Sequence, residues 1–171
     1  MLESVLGFLE NIFGATDIGR FAVVFILSML PAVGGPTMVI PVGAALGLTA
    51  IPNAVAAIVG NILPAPFIIL FIRKIFDWMR KKSRRLGSLA DKLENKAKSR
   101  GTRLRHGVFI GLMIFVAIPL PLPGMGAWTG SLIAAIFNIR LRIALPAIAF
   151  GVVIAGTIAT LATYGFIEYV L

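Results

Sequence analysis

The chain has no cysteine in 171 residues. That excludes a disulfide framework, a thiolate metal site and a cysteine nucleophile, and it leaves the redox compartment unmarked. Histidine is almost as scarce: His106 stands alone beside a basic stretch, where a solvated side chain is the natural reading. Charge of either sign is thin at 13%, and only seven residues are acidic. None of the acidic residues falls inside an apolar run before Glu168, so no buried carboxylate is on offer to alternate between a proton and a cationic solute. Without a metal-ligand cluster, a phosphate-binding loop or a nucleophile paired with a base, neither an enzyme nor a cofactor is expected.

What the chain does have is apolar surface. Hydrophobic residues make up 58% and the mean hydropathy is +0.97, which describes an integral membrane protein. Met1 to Gly19 carries Glu3, Glu10 and Asp17 and no basic residue, unlike a secretory signal, so the first span is expected to be retained.

The apolar residues follow one pattern twice. Phe21 to Val33 is followed by a Pro/Gly-rich break from Gly34 to Pro41, a short run from Val42 to Leu48 and a long run from Asn53 to Ile72. Val108 to Ile118 is followed by a break from Pro119 to Gly126, a short run from Ala127 to Phe137 and a long run from Ile143 to Ile167. A crossing takes about 20 residues to span roughly 30 Å of hydrocarbon. The long runs meet that length. The short arms, at 1.5 Å per residue, reach at most roughly 22 Å and fit hairpins that enter the bilayer and return.

Charge supports the hairpins. Thirteen of the sixteen Lys and Arg residues lie between Arg73 and Arg105, which places that segment in the cytoplasm. Arg140 and Arg142 obey the same rule only if residues 107–138 return to the side they came from. The expected fold is therefore all-α: two inverted repeats, each a re-entrant helical hairpin followed by a transmembrane helix, in one membrane domain. Its parts are an N-terminal amphipathic helix (1–19), repeat 1 (20–72), a basic cytoplasmic amphipathic segment (73–106) and repeat 2 (107–171).

The breaks are the candidate site. Pro36, Pro41, Pro119, Pro121 and Pro123 lack an N–H and push the preceding residue out of the α region, so neither break is expected to be continuous helix. Irregular backbone in lipid must be covered by protein or line a cavity. Each returning helix would then aim a partly positive N-terminus at the bilayer centre, which suits phosphate or carboxylate. Candidate residues for the substrate or the hairpin tips are Gly35, Pro36, Thr37, Pro41, Pro121, Pro123, Gly124, Gly126, Trp128 and Thr129. Thr129 could cap the second returning helix, and Trp128 either lines a cavity or packs. Asn61, with Pro64 and Pro66, is a candidate ligand or hinge; alternatively its amide satisfies carbonyls that the two prolines free. Arg140 either anchors a helix at the headgroups or receives an anionic headgroup. Gly151 and Gly156 read as packing contacts.

The basic segment alternates Ile75, Trp78, Met79, Leu86, Leu89 and Leu93 with Lys and Arg, as a helix lying on anionic lipid does. Membrane lipid is thus the expected partner, a homo-oligomer is compatible with the small size, and nucleic acid is not expected.

Three strings carry a family resemblance: Ile40-Pro41-Val42-Gly43-Ala44-Ala45-Leu46-Gly47-Leu48, Gly60-Asn61-Ile62-Leu63-Pro64-Ala65-Pro66, and Gly124-Met125-Gly126-Ala127-Trp128-Thr129-Gly130-Ser131-Leu132. Over residues 20–165 the chain resembles the small multidrug export family of prokaryotic membrane proteins, distant relatives of the DedA superfamily. The resemblance implies inverted re-entrant hairpins in a prokaryotic cell membrane and, through DedA, movement of lipids such as polyprenyl phosphates. Gly35 and Thr37 stand where that pattern has a Glu and an Arg. The leading expectation is a transporter or scramblase of an amphipathic, anionic lipid-like substrate. Export of small molecules or drugs is the alternative, and a non-transporting membrane scaffold the third reading.

Overall fold

The structure is a computed structural model that describes residues 16–33, 35–82, 105–119 and 126–170. Every regular element among the described residues is helical: α1 (Asp17–Met29), a single 3-10 turn (Pro31–Val33), α2 (Pro36–Ala45), α3 (Ala50–Ile62), α4 (Ala65–Lys82), α5 (Arg105–Ala117), α6 (Ala127–Ile136) and α7 (Leu141–Val170).

Local chemistry sets the boundaries. The Thr16 hydroxyl caps α1 by accepting the Gly19 N–H at 3.1 Å, satisfying one of the donors a helix start leaves free. Pro31 ends α1, because the residue before a proline is driven to extended backbone, and Leu30 is extended. Only the turn at Leu63 and Pro64 separates α3 from α4, so Ala50–Ile75 forms one apolar rod of 26 residues. Leu141–Glu168 forms the other, of 28 residues. Both are long enough to cross a bilayer.

Two expectations are corrected. The first break is shorter than proline content suggested, since helix resumes at Pro36 and Pro41 lies inside α2. Pro36 takes the first helical position, where its missing N–H costs nothing; the bond lost at Pro41 is a single one, in a helix braced by neighbours on both sides, where proline is tolerated. The basic segment, expected to begin a separate surface helix at Arg73, instead continues α4 through Lys82, because Lys and Arg propagate a helix readily. Residues 1–15 and 83–104, expected to be amphipathic helices, lie outside the described residues.

The two halves repeat element by element. α2 and α6 are each 10 residues long, and both α6 and the start of α7 follow their counterparts, α2 and α3, by 91 positions. α1 and α5 are both 13 residues long at a spacing of 88; the second break is longer by the difference. Burial repeats at 91 as well: Asn53 and Ala144, Ala57 and Ile148, Gly60 and Gly151, and Asn61 and Val152 are all buried.

Packing crosses between the halves. Each first arm lies along its own long helix, α1 on α3 and α5 on α7, whereas each returning helix lies on the other half's rod, α2 on α7 and α6 on α4. Small residues allow the approach. A Cβ on Gly60 would stand 2.5 Å from the Phe25 carbonyl oxygen, and one on Gly151 2.7 Å from that of Met113. Such close contacts hold helices together where lipid competes on equal terms for apolar surface. Large apolar side chains point outward instead, with Ile51, Val55, Val59, Leu63 and Phe67 exposed in one row along the first rod.

Candidate site where the hairpin ends meet

Asn61, fully buried on α3, links α1 to α6. Its Nδ2 donates to the Ser28 carbonyl at 3.2 Å, in the last turn of α1. Its Oδ1 accepts the Ala127 N–H at 3.0 Å, the first helical donor of α6. Trp128 makes a parallel link, its Nε1 donating to the Met29 carbonyl at 3.0 Å. A helix end leaves carbonyls without intrahelical partners and a helix start leaves N–H groups. Here the carboxamide answers one of each.

The returning helices begin alike. Gly35 and Gly126 are their N-caps, at φ 71° and 92°, backbone that essentially only glycine adopts at such ψ values. Space adds a second reason at Gly126, where a Cβ would lie 3.1 Å from the Asn61 Oδ1. Glycine has no side chain to cap with; at α6 the Asn61 carboxamide takes the first N–H, and Thr129 lies half-buried in the first turn. Pro36 is buried beside Gly156 of α7, Thr37 is half-buried and Pro41 is exposed. Pro64 and Pro66 are half-buried at the α3–α4 turn, and it is the carbonyl of Ser28 rather than one freed by these prolines that takes the Asn61 amide. Arg140 is exposed, and its backbone carbonyl starts α7 by accepting from Ile143 and Ala144 at 2.8 and 3.0 Å. Pro121, Pro123 and Gly124 lie outside the described residues.

Five further side chains were given no site role in the sequence reading. Asn53, fully buried, donates through Nδ2 to the Ile40 carbonyl at 2.8 Å and to the Tyr164 hydroxyl at 2.9 Å. Tyr164 in turn donates to the Leu48 carbonyl at 2.5 Å. Arg73 donates through Nη2 to the Ile139 carbonyl. Ser28 and Ser131 are fully buried with hydroxyls that have no hydrogen-bond partner. An asparagine opening an apolar run was the visible signal for Asn53; Arg73 read only as the first residue of the basic segment, and the others as ordinary span residues.

These bonds also orient the rods. The far end of α7, at Tyr164, meets the start of α3, while the far end of the first rod, at Arg73, meets the loop before α7. The rods are therefore antiparallel. Among the described residues, charge collects at the ends, as in the pair of exposed Asp17 and half-buried Arg20 at 3.6 Å, and groups of acidic, His or Cys side chains suited to a metal are absent.

The described residues thus form short helices packed on two long apolar rods. Residues 36–158 match the family described as "Putative small multi-drug export protein". The chain belongs to this family. The match runs from the start of α2 through most of α7, so this small multi-drug export family member holds Asn61, Ala127 and Trp128 inside the matched region and Ser28, Met29 and Tyr164 outside it. No curated protein and no solved structure matches the chain.

Proposed function

We propose that this protein is a multi-pass membrane exporter of small amphipathic molecules in a prokaryotic cell membrane, with its basic segment, 73–106, in the cytoplasm. In this reading the halves are inverted, each hairpin enters from its own face, and the substrate passes where the hairpin ends meet. The observation that carries it is the bridge at Asn61, because one side chain ties the end of α1 to the start of α6. Backbone donors and acceptors that broken helices release are the usual material of transporter sites. The family description favours small molecules as cargo. Transport follows if the halves rock about Asn61, opening one face as the other closes.

The test is efflux of a fluorescent lipophilic compound from proteoliposomes. Protein-dependent efflux that Asn61→Ala abolishes, in a variant that remains folded, supports the proposal. Absence of wild-type efflux for neutral, cationic and anionic probes alike counts against it.

A second reading, DedA-like translocation of an anionic lipid such as a polyprenyl phosphate, is favoured by one observation. Both returning helices start at a hairpin break, and the described parts of α1, α2, α3, α5 and α6 carry no acidic side chain besides Asp17 at the outer end. The potential from helix N-termini is then unopposed and attracts anions. A labelled polyprenyl phosphate in the same vesicles separates the two readings.

A further inference from the structure

Arg73 and Tyr164 occupy equivalent places in the two halves. They are 91 positions apart, the spacing that relates α2 to α6, and the carbonyls they hold, Ile139 and Leu48, are related by the same spacing. Each side chain therefore reaches from the rod of one half to the corner where the other half's returning helix ends, or, for Tyr164, from α7 back to the corner behind α2. The two bonds lie at opposite ends of the molecule.

We propose that Tyr164 and Arg73 are face-specific gate residues, each holding one face of the transporter shut. The proposal rests on the transport reading above and adds to it the groups that close each side. Three observations carry it. First, the corners are stiff. Leu48 N–H returns to the Gly43 carbonyl at 3.0 Å and Ile139 N–H to the Ala134 carbonyl at 2.8 Å, helix-ending loops that fasten each corner to its returning helix. A pull on either carbonyl therefore moves a whole arm. Second, the crosswise packing leaves one economical way to open a face, which is to part a returning helix from the opposite rod; at each end that movement must break the corner bond. Third, the bonds are the right strength. A hydrogen bond contributes about 1 kcal/mol net, enough to bias a closed state and weak enough to release.

The gates differ chemically. Tyr164 is a neutral donor backed by Asn53, whose Nδ2 donates to its hydroxyl. Arg73 is a permanent cation whose Nε is buried without a partner, on the face that carries Lys74, Arg140 and Arg142.

The experiment exploits the absence of cysteine. Ser28→Cys places a single thiol at the buried end of α1, and a membrane-impermeant maleimide is added to one face of oriented proteoliposomes. In that background Tyr164→Phe, which removes both the bond to the Leu48 carbonyl and the one accepted from Asn53 Nδ2, should raise the labelling rate about five- to thirty-fold from the Thr49 face and leave the Arg140 face unchanged, the range being the loss of one to two bonds of about 1 kcal/mol each. Arg73→Met should do the reverse, and Arg73→Lys, which keeps a cationic donor, should stay closer to wild type. Equal increases from both faces, or no change in either variant, overturns the assignment. Tyr164→Phe keeps the ring and carries the test alone if Arg73→Met does not fold. Labelling needs no substrate, so a wild type without efflux would overturn the transport reading while the gate result stands or falls by itself.

Discussion

The Asn61 Oδ1 and the Ala127 N–H, 66 residues apart in sequence, lie 3.0 Å from each other and fasten α3 to the first turn of α6. Because Nδ2 simultaneously holds the Ser28 carbonyl, Asn61→Ala should strand a buried donor on one hairpin and a buried acceptor on the other. Loss of a helix cap costs about 1 kcal/mol, and side-chain bonds inside membrane proteins average about 0.6 kcal/mol. Thermal unfolding in detergent should show destabilisation of about 1–2 kcal/mol, together with loss of efflux. Asn61→Asp keeps an acceptor for Ala127 but loses the donor to the Ser28 carbonyl and buries a carboxylate against it, so it should destabilise at least as much as Asn61→Ala.

Trp128→Phe removes the bond to the Met29 carbonyl together with the pyrrole part of the indole, and keeps a six-membered aromatic ring. A loss of about 0.5–1.5 kcal/mol is expected, smaller than for Asn61→Ala, and intrinsic fluorescence of the wild type should report opening of this contact when substrate is added. An unchanged unfolding midpoint would show that the indole N–H does not contribute there.

Glycine positions divide sharply. A Cβ at Gly60 or Gly151 would meet a backbone carbonyl oxygen at 2.5 or 2.7 Å, whereas at Gly111 and Gly165 nothing lies within 4 Å. Gly60→Ala and Gly151→Ala should each destabilise by about 1–3 kcal/mol through overpacking. Gly111→Ala should be neutral or stabilising by up to about 1 kcal/mol, since alanine propagates a helix better than glycine. Ranking the variants by detergent unfolding tests the helix approach directly.

Gly43 and Asn53 should be coupled. A Cβ at Gly43 would stand 2.0 Å from the Asn53 Oδ1, so Gly43→Ala alone should be severely destabilising. In an Asn53→Ala background the obstacle is gone. A double-mutant cycle should therefore return a favourable interaction of about 1–3 kcal/mol; additive effects would place the two residues out of contact.

The doubled order of short arm, break, short arm and long run was legible in the sequence because hydrophobicity, proline and glycine are local signals. Arg140 and Arg142 likewise marked the corner before α7. Other features were not readable for physical reasons. Pro41 looked like a breaker, and only the neighbours of α2 make it tolerable inside the helix. The 91-residue spacing hides in the sequence because packing demands size rather than identity: Gly60 corresponds to Gly151, but Asn61 to Val152 and Arg73 to Tyr164. Asn61 stood out as a polar residue in an apolar run, yet its partners depend on where α1 ends, 33 residues upstream. The Tyr164 contact to Asn53 spans 111 residues, beyond any local pattern.

The central claim is that two hairpins enter from opposite faces and meet at Asn61. Its most direct test is the sidedness of single cysteines at three exposed positions, Asp17, Thr49 and Arg140, read with a membrane-impermeant thiol reagent on intact and permeabilised cells. Asp17→Cys and Thr49→Cys should label from the same face, because α1 and α2 go in and return, and Arg140→Cys should label from the other. Asp17→Cys and Thr49→Cys on opposite faces, or Arg140→Cys on the same face as Thr49→Cys, would contradict the account.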